Sequence, residues 1–480
     1  MKIKYKATLF FLLINILIYP QQISKVDEMF VDSVMNSNFP ASGPGAVILI
    51  SKNGVPIYKK AYGLANVELN VKNKLENLFN IGSMSKQFTA LCILKLVQEG
   101  KISLQDDIKK YLIDYNSHGQ KITIENILNH TSGIQSYSNK EDFLGKSVTD
   151  ITKEDLRKSF ENDTLIFLPN TNWSYCNSGY VIAGLIVEKV SGKSLSSFLT
   201  ENIFIPCGMK STFVGNDDSI FINLVNGYDN VLGPENVTEI KYKPAQYISW
   251  TYSYGAGGII SNVDDLLKYN TALLSYKIIN KQLLEKAWSA STLPNGKSTN
   301  YGLGWAVGNY KGLKFAAHGG ALFGFRAYGT LFPDEQIYVT VLSNNSAKTP
   351  VTYASPIAFK IAGQPLPTPK MIPKNKKLIE EYCGVYKAYS LVHDFLPTER
   401  YITLENGKFF SQLNENNELE DKIELFYLDE DIFGRKNSTQ TFHFIRDKNN
   451  KVTSVDIFNF PINYGPSETN LKTDKELPKK

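Results

Sequence analysis

Cysteine is scarce in this 480-residue chain: Cys92, Cys176, Cys207 and Cys383 stand far apart, with no C-x-x-C pair. That excludes a disulfide-dense scaffold and leaves zinc without a cysteine cluster. H-E-x-x-H is missing as well, so a metalloprotease helix is not expected. There is no G-x-S-x-G, which argues against a nucleophile-elbow hydrolase. No Walker or dinucleotide glycine pattern stands out, and no cofactor or metal is expected. Excess charge is small. The formal net charge is +5, and removing Lys2, Lys4 and Lys6 would leave +2. That is too little to argue for nucleic acid or an anionic membrane as a partner. Beyond the N-terminus no segment has the roughly 20 apolar residues that a spanning helix needs.

What is present describes a globular protein: 42% hydrophobic and 12% aromatic residues, enough for a large core. The length suggests two or three domains. Met1–Lys6 is basic, and Ala7–Tyr19 is an apolar run ended by Pro20. This pattern predicts a secretory signal peptide over 1–21, hence a periplasmic or secreted protein. No small-x-small cleavage site follows, so an uncleaved N-terminal anchor is the alternative. Export makes disulfides possible, but the wide spacing favours four free thiols.

Residues 22–362 read as one α+β domain. Ala46–Ile50 and Pro56–Tyr62 are strands around a Lys52-Asn53-Gly54 turn. Gln87–Glu99 is apolar nearly all round, which predicts a buried central helix. Val181–Val190 and Asp264–Leu274 are further helices, the latter capped by Ser261 or Asn262. Phe315–Ala317, Phe325–Phe332 and Gln336–Ser343 read as successive strands, so strands from both chain ends should share one sheet. Four prolines mark 363–377 as a linker. Residues 378–472 alternate short strands with tight turns, as in a small all-β barrel, before a charged tail at 473–480.

Three short patterns carry possible chemistry. Ser83 and Lys86 stand i, i+3 before the buried helix and share a face of a helical turn. A serine hydroxyl needs a neighbouring base, and burial beside a helix N-terminus lowers a lysine's pKa toward that role. Tyr175 and Asn177 precede the second apolar helix. Tyrosine can shuttle a proton, and asparagine can hold both a substrate amide and the lysine. Tyr228-Asp229-Asn230 repeats that pattern without the following Ser-Gly turn and helix, so it reads as a decoy. Cys176 reads as structural, since no histidine in the motif activates it. His318-Gly319-Gly320 enters the strand around Phe325, and its glycines allow close backbone approach to a ligand. His130 reads as a residue that caps a turn. Alone, each pattern is weak.

Together, in the order S-x-x-K, Y-x-N, H-x-G, they resemble the serine β-lactamase and penicillin-binding-protein superfamily on its class C-like branch. Phe79–Thr89, Gly100–Asp107, Ile122–Ile134, Ile205–Met209, Ala256–Gly258 and Tyr301–Trp305 resemble further landmarks of that family. The likeness spans about two-thirds of the chain and implies a β-lactamase/transpeptidase-like fold. It implies that Ser83 is acylated, Lys86 is its base and Tyr175 relays the proton. Asn177 would bind the substrate amide, and the backbone N–H groups of Ser83 and Ala321 would form the oxyanion hole. His318, Gly319 and Gly320 would border the substrate.

Where β-lactamases usually carry K-T-G or K-S-G, this chain has a histidine and a glycine, losing a charge and a hydroxyl. Slow or absent β-lactam turnover is therefore expected. The implied protein is an exported serine acyl-hydrolase acting on D-amino-acid peptides or amides, or on small esters. DD-carboxypeptidase, D-aminopeptidase and esterase types all fit, and a peptidoglycan fragment is a plausible substrate. The alternatives are a penicillin-binding sensor that acylates with little turnover, and a non-catalytic binding protein.

Overall fold

The computed structural model describes residues 22–231, 241–368, 370, 380–389, 397–415, 418–419, 422–435, 440–459, 465–466 and 468–475. The expected signal peptide, much of the expected linker and the end of the tail lie outside the described residues.

The frame of the larger unit is a six-stranded antiparallel sheet. Its strands are β1 (Ala46–Lys52), β2 (Val55–Tyr62), β3 (Ala306–Tyr310), β4 (Leu313–Leu322), β5 (Phe325–Phe332) and β6 (Ile337–Ser343), in spatial order β3-β4-β5-β6-β1-β2. Asn53 and Gly54 both take positive φ (52° and 74°), which suits the tight turn of the first hairpin. The N-terminal strand closes against the last one, with Ala46 opposite Ser343 and Lys52 opposite Ile337.

Strand β1 shows why the sheet needs cover on both faces. Its run Ala46–Ile50 is fully buried. Because side chains alternate, Val47 and Leu49 enter one core while Ala46, Ile48 and Ile50 enter another. The second core is made with α1 (Lys25–Asn38) and α6 (Val351–Ile361). The first is made with α2 (Ser85–Gln98), α3 (Asn177–Ser191), α4 (Trp250–Gly257) and α5 (Val263–Leu274). Phe88, Leu91, Ile93, Leu94 and Leu96 of α2 are all buried, so this helix runs through the middle of the unit. Asn262 is the residue that caps α5, its side chain accepting from the Asp265 N–H.

Two details differ from the sequence reading. Helix α2 starts at Ser85 and is preceded by a 3₁₀ turn, Gly82–Met84. Strand β4 extends to Leu322, so His318-Gly319-Gly320 belongs to β4 itself rather than to the approach to β5. Two adjacent glycines depress a strand reading, whereas here a close neighbour requires one of them, Gly320.

The C-terminal unit is a closed up-and-down barrel of eight strands: β7 (Gly384–Tyr389), β8 (Pro397–Glu405), β9 (Lys408–Glu415), β10 (Ile423–Asp429), β11 (Ile432–Arg435), β12 (Gln440–Arg446), β13 (Val452–Asn459) and β14 (Glu468–Lys472). Each pairs with the next, and β14 returns to β7 through Tyr386 opposite Lys472. Tyr382, Phe409, Phe433, Phe442 and Phe444 fill its interior. Cys92, Cys176 and Cys207 are buried free thiols, and Cys383 is half-buried. Among the described residues no helix is long and apolar enough to cross a membrane.

Candidate active site

The turn Gly82–Met84 presses against the second half of β4, which lies beyond the residues paired with β3. Two glycines make this approach possible. A Cβ on Gly320 would stand 1.9 Å from the Ile81 carbonyl oxygen, and one on Gly82 would stand 2.7 Å from the Ala321 nitrogen. Gly82 also takes φ +50°, and its N–H donates to Asn80 Oδ1 at 2.6 Å. In the stretch Ile81–Ala90 only Ser83 is not buried. The chain thus presents one hydroxyl at the surface of an otherwise sealed element.

Lys86, one turn on, is completely buried. Its Nζ lies 3.0 Å from Ser83 Oγ, 2.7 Å from Asn177 Oδ1 and 2.8 Å from the Ala256 carbonyl oxygen. No carboxylate is among these partners. Burial therefore dominates and pushes the lysine down to about 7. The rings of Tyr175 and Tyr180 stand 4.9 and 5.4 Å from Nζ.

Asn177 opens α3. Its Nδ2 donates to Ser138 Oγ at 2.8 Å, and its N–H donates to Ser136 Oγ at 3.0 Å. Ser178 fastens the same loop to the helix, donating to the Gln135 carbonyl and accepting from the Tyr137 N–H. Tyr175, two residues before Asn177, is hydrogen-bonded to Ser83, and burial raises its phenol above the ordinary range. His130 takes φ 65° and accepts the Cys176 N–H on Nδ1 at 3.1 Å. Its ring packs 4.4 Å from that of Tyr175 and 4.7 Å from that of Tyr301. It therefore holds the tyrosine's support rather than a substrate.

His318 is buried, with both ring nitrogens engaged. Nδ1 donates to the Gly319 carbonyl, so Nε2 accepts from Tyr301 Oη at 2.8 Å. Burial and the nearby Lys86 push it down to about 3, so it is neutral near pH 7. Gly319 is partly exposed, Gly320 is buried and Ala321 is exposed.

Two cavities meet at Ser83. One of about 280 Å³ is lined by Asn177, Ser138, Tyr252, Asp229 and Arg326, among others. The other, about 480 Å³, is lined by Tyr175, Trp173, His318, Gly319, Gly320 and Arg326, among others. Ser83 and Ala321 border both. All eight residues singled out in the sequence thus gather at one place. The sequence reading missed the Ala256 carbonyl, Ser138, Tyr301 and Arg326. Ala256 and Tyr301 sit inside stretches it had noted as landmarks. Ser138 and Arg326 carry no local pattern. The Tyr228-Asp229-Asn230 decoy forms part of a strand, Tyr228–Val231, yet its Asp229 lines the smaller cavity. Among the described residues no group of His, Cys, Asp and Glu is arranged to hold a metal ion.

Helix α4 is broken at Tyr254 (φ 29°, ψ −130°), a strained conformation for a bulky residue. The break lies two residues before Ala256, whose carbonyl meets Lys86. Thr89 Oγ1 holds the neighbouring Gly255 carbonyl at 2.7 Å.

Penicillin-binding protein 4* of Bacillus subtilis (strain 168) is 28% identical over 396 residues, covering 76% of this chain and 83% of that protein. The octameric penicillin-binding protein homologue from Pyrococcus abyssi superposes with a TM-score of 0.62 at 25% identity, over 93% of this chain and 99% of that chain. The D-amino acid amidase from Ochrobactrum anthropi SV3 complexed with D-phenylalanine has a TM-score of 0.57 at 21% identity, over 67% and 92%, which shows a shared fold. The expected β-lactamase/transpeptidase-like α+β fold is therefore the observed one. The Beta-lactamase family matches residues 37–361, the part of the chain that carries the Ser83 site, and the chain belongs to that family of serine hydrolases.

Proposed function

We propose that this protein is an exported serine acyl-hydrolase that works through an acyl-Ser83 intermediate. The observation that carries this reading is the environment of Lys86: buried, 3.0 Å from Ser83 Oγ, and shifted to about 7. Protonated, the ammonium donates to Ser83, Asn177 and Ala256. Neutral, its two hydrogens suffice for the Asn177 and Ala256 oxygens, and its lone pair faces the Ser83 hydroxyl. That is the state of a general base.

In the proposed cycle Lys86 takes the Ser83 proton as Oγ attacks the acyl carbonyl. The N–H groups of Ser83 and Ala321 hold the oxyanion, a donor of this kind typically being worth about 10²–10³ in turnover. Asn177 holds the acyl amide. Tyr175, kept protonated by burial, passes a proton to the departing amine or alcohol and then helps a water release the acyl group. The cycle needs no carboxylate. His318, neutral and fully engaged, shapes the larger cavity without charge.

The substrate class proposed is a D-amino-acid peptide or amide, or a small ester, with peptidoglycan fragments among the peptides. Relatedness to a penicillin-binding protein and the fold shared with a D-amino acid amidase support it. Export rests on Lys2, Lys4, Lys6 and the apolar run Ala7–Tyr19.

The test is covalent labelling of the purified chain, read by intact mass. A fluorophosphonate should add one label, and Ser83→Ala should abolish it. A penicillin should label the same serine, with kcat/KM below the roughly 10⁶ M⁻¹s⁻¹ of efficient enzymes. Labelling that survives Ser83→Ala, or none with either reagent, would end the acyl-enzyme reading.

A further inference from the structure

The cycle above leaves Thr89 without a role, although it stands on α2 three residues after Lys86, on the same face of the helix. It is buried, and its hydroxyl donates to the Gly255 carbonyl oxygen at 2.7 Å. The next carbonyl along the chain, that of Ala256, accepts from Lys86 Nζ at 2.8 Å. Ser85, also buried on α2, accepts the Ile259 N–H on Oγ at 3.0 Å. Three side chains of α2 thus hold backbone groups of the segment 255–259.

Helix α4 does not supply these partners itself. A regular helix would send the Ile259 N–H back to the Gly255 carbonyl, four residues earlier. The break at Tyr254 (φ 29°) ends that ladder, and the backbone groups it frees need other partners once buried. Backbone strained in this way persists only where its surroundings hold it. Helix α2 provides one hold. Close packing on α3 is another, since a Cβ on Gly255 would stand 2.6 Å from the Tyr180 carbonyl oxygen.

The Gly255 and Ala256 carbonyls belong to successive planar peptide units, so fixing the first limits how the second can turn. The Ala256 carbonyl matters because the Lys86 ammonium has only oxygen acceptors, those of Ser83, Asn177 and Ala256. The titratable groups around it carry no compensating charge. Burial keeps the Tyr175 and Tyr180 phenols protonated and pushes the Cys176 thiol up to about 11. His130 and His318 are held neutral by burial and by the lysine itself.

We propose that Thr89 is a positioning residue: by holding the Gly255 carbonyl it fixes the Ala256 carbonyl on Lys86, and so controls the strength of the proposed base. The proposal rests on the acyl-hydrolase reading and adds to it a residue that touches neither substrate nor nucleophile. The competing account is that Thr89 only fastens α4 to α2, in which case its loss would lower the melting temperature and leave Lys86 unchanged.

The test uses the full-length protein and two readouts. One is the pH midpoint of Ser83 labelling by a fluorophosphonate. The other is the titration of Lys86 itself, followed by NMR of lysine labelled at the ε-carbon, with its signal identified by loss in Lys86→Met. Thr89→Val keeps the shape and removes the donor. Losing an acceptor disfavours the ammonium, so both midpoints should fall, by about one pH unit. Thr89→Ser restores the donor and should restore both midpoints. Should Thr89→Val fail to fold by circular dichroism, Thr89→Cys, a weaker donor of similar size, carries the comparison, with a fall still expected. A midpoint that stays or rises in the folded variant, or one that falls as far with Thr89→Ser, would overturn the proposal. The NMR titration needs no acylation. Failure of the unmodified protein to take the fluorophosphonate would remove the acyl-hydrolase reading, while the NMR midpoints would still decide whether Thr89 acts on Lys86.

Discussion

Lys86 ties the proposed chemistry to a measurable pH dependence. A lysine in water titrates near 10.4 and is no base at neutral pH. Buried here with only oxygen acceptors around it, it titrates at about 7. The sign follows from its proposed role. The neutral amine is the reactive form, so acylation of Ser83 should fall about tenfold per pH unit below 7 and level off above it. His318, neutral down to about 3, should add no limb of its own in that range. The check is the rate of fluorophosphonate labelling between about pH 5 and 9. A flat profile, or one that falls as pH rises, would remove Lys86 as the base.

At the scale of elements, the site depends on how closely the turn Gly82–Met84 meets β4. Gly320 leaves room for the Ile81 carbonyl and for nothing larger. Gly320→Ala should therefore push the nucleophile turn away from Ala321. A displacement of about 1 Å can cost roughly 10²-fold in rate, and labelling of Ser83 should slow by at least that much. Circular dichroism melting should show a folded but less stable protein. Unimpaired labelling would mean that the turn and strand adjust independently. The elements themselves were largely legible. The β1–β2 hairpin followed from Asn53-Gly54, and α2 from an apolar run ended by Gly100. The extension of β4 was not. His318-Gly319-Gly320 has poor strand propensity and is held extended by its neighbours β5 and the nucleophile turn.

For the whole molecule, the barrel reaches the wall of the site. Asn300 Nδ2 donates to the Gly465 carbonyl oxygen at 3.0 Å, and Lys297 Nζ to Thr469 Oγ1 at 3.2 Å. A Cβ on Gly465 would stand 2.5 Å from the ring of Trp173, which lines the larger cavity. Gly465→Val should press Trp173 toward that cavity and raise KM for substrates with a bulky leaving group, with kcat less affected. Steady-state kinetics on leaving groups of graded size provide the check. An equal effect on small and bulky leaving groups, or no effect, would mean that this contact only joins the two units.

The sequence by itself determined which functional groups the site has and the local frames that hold them. Ser83 and Lys86 share a turn because of their spacing, Asn177 opens a helix because of where α3 begins, and the barrel strands follow their turns. Tertiary structure decided what those groups are able to do. Lys86 finds its partners 91 and 170 residues away, and its lowered pKa comes from a burial that no local pattern records. Arg326 comes to border both cavities at Ser83 only when β4 and β5 lie together against the Ser83 turn. Desolvation and convergence are properties of packed surfaces, and residues so distant in the chain acquire them only once the sheet and the helices around α2 have closed.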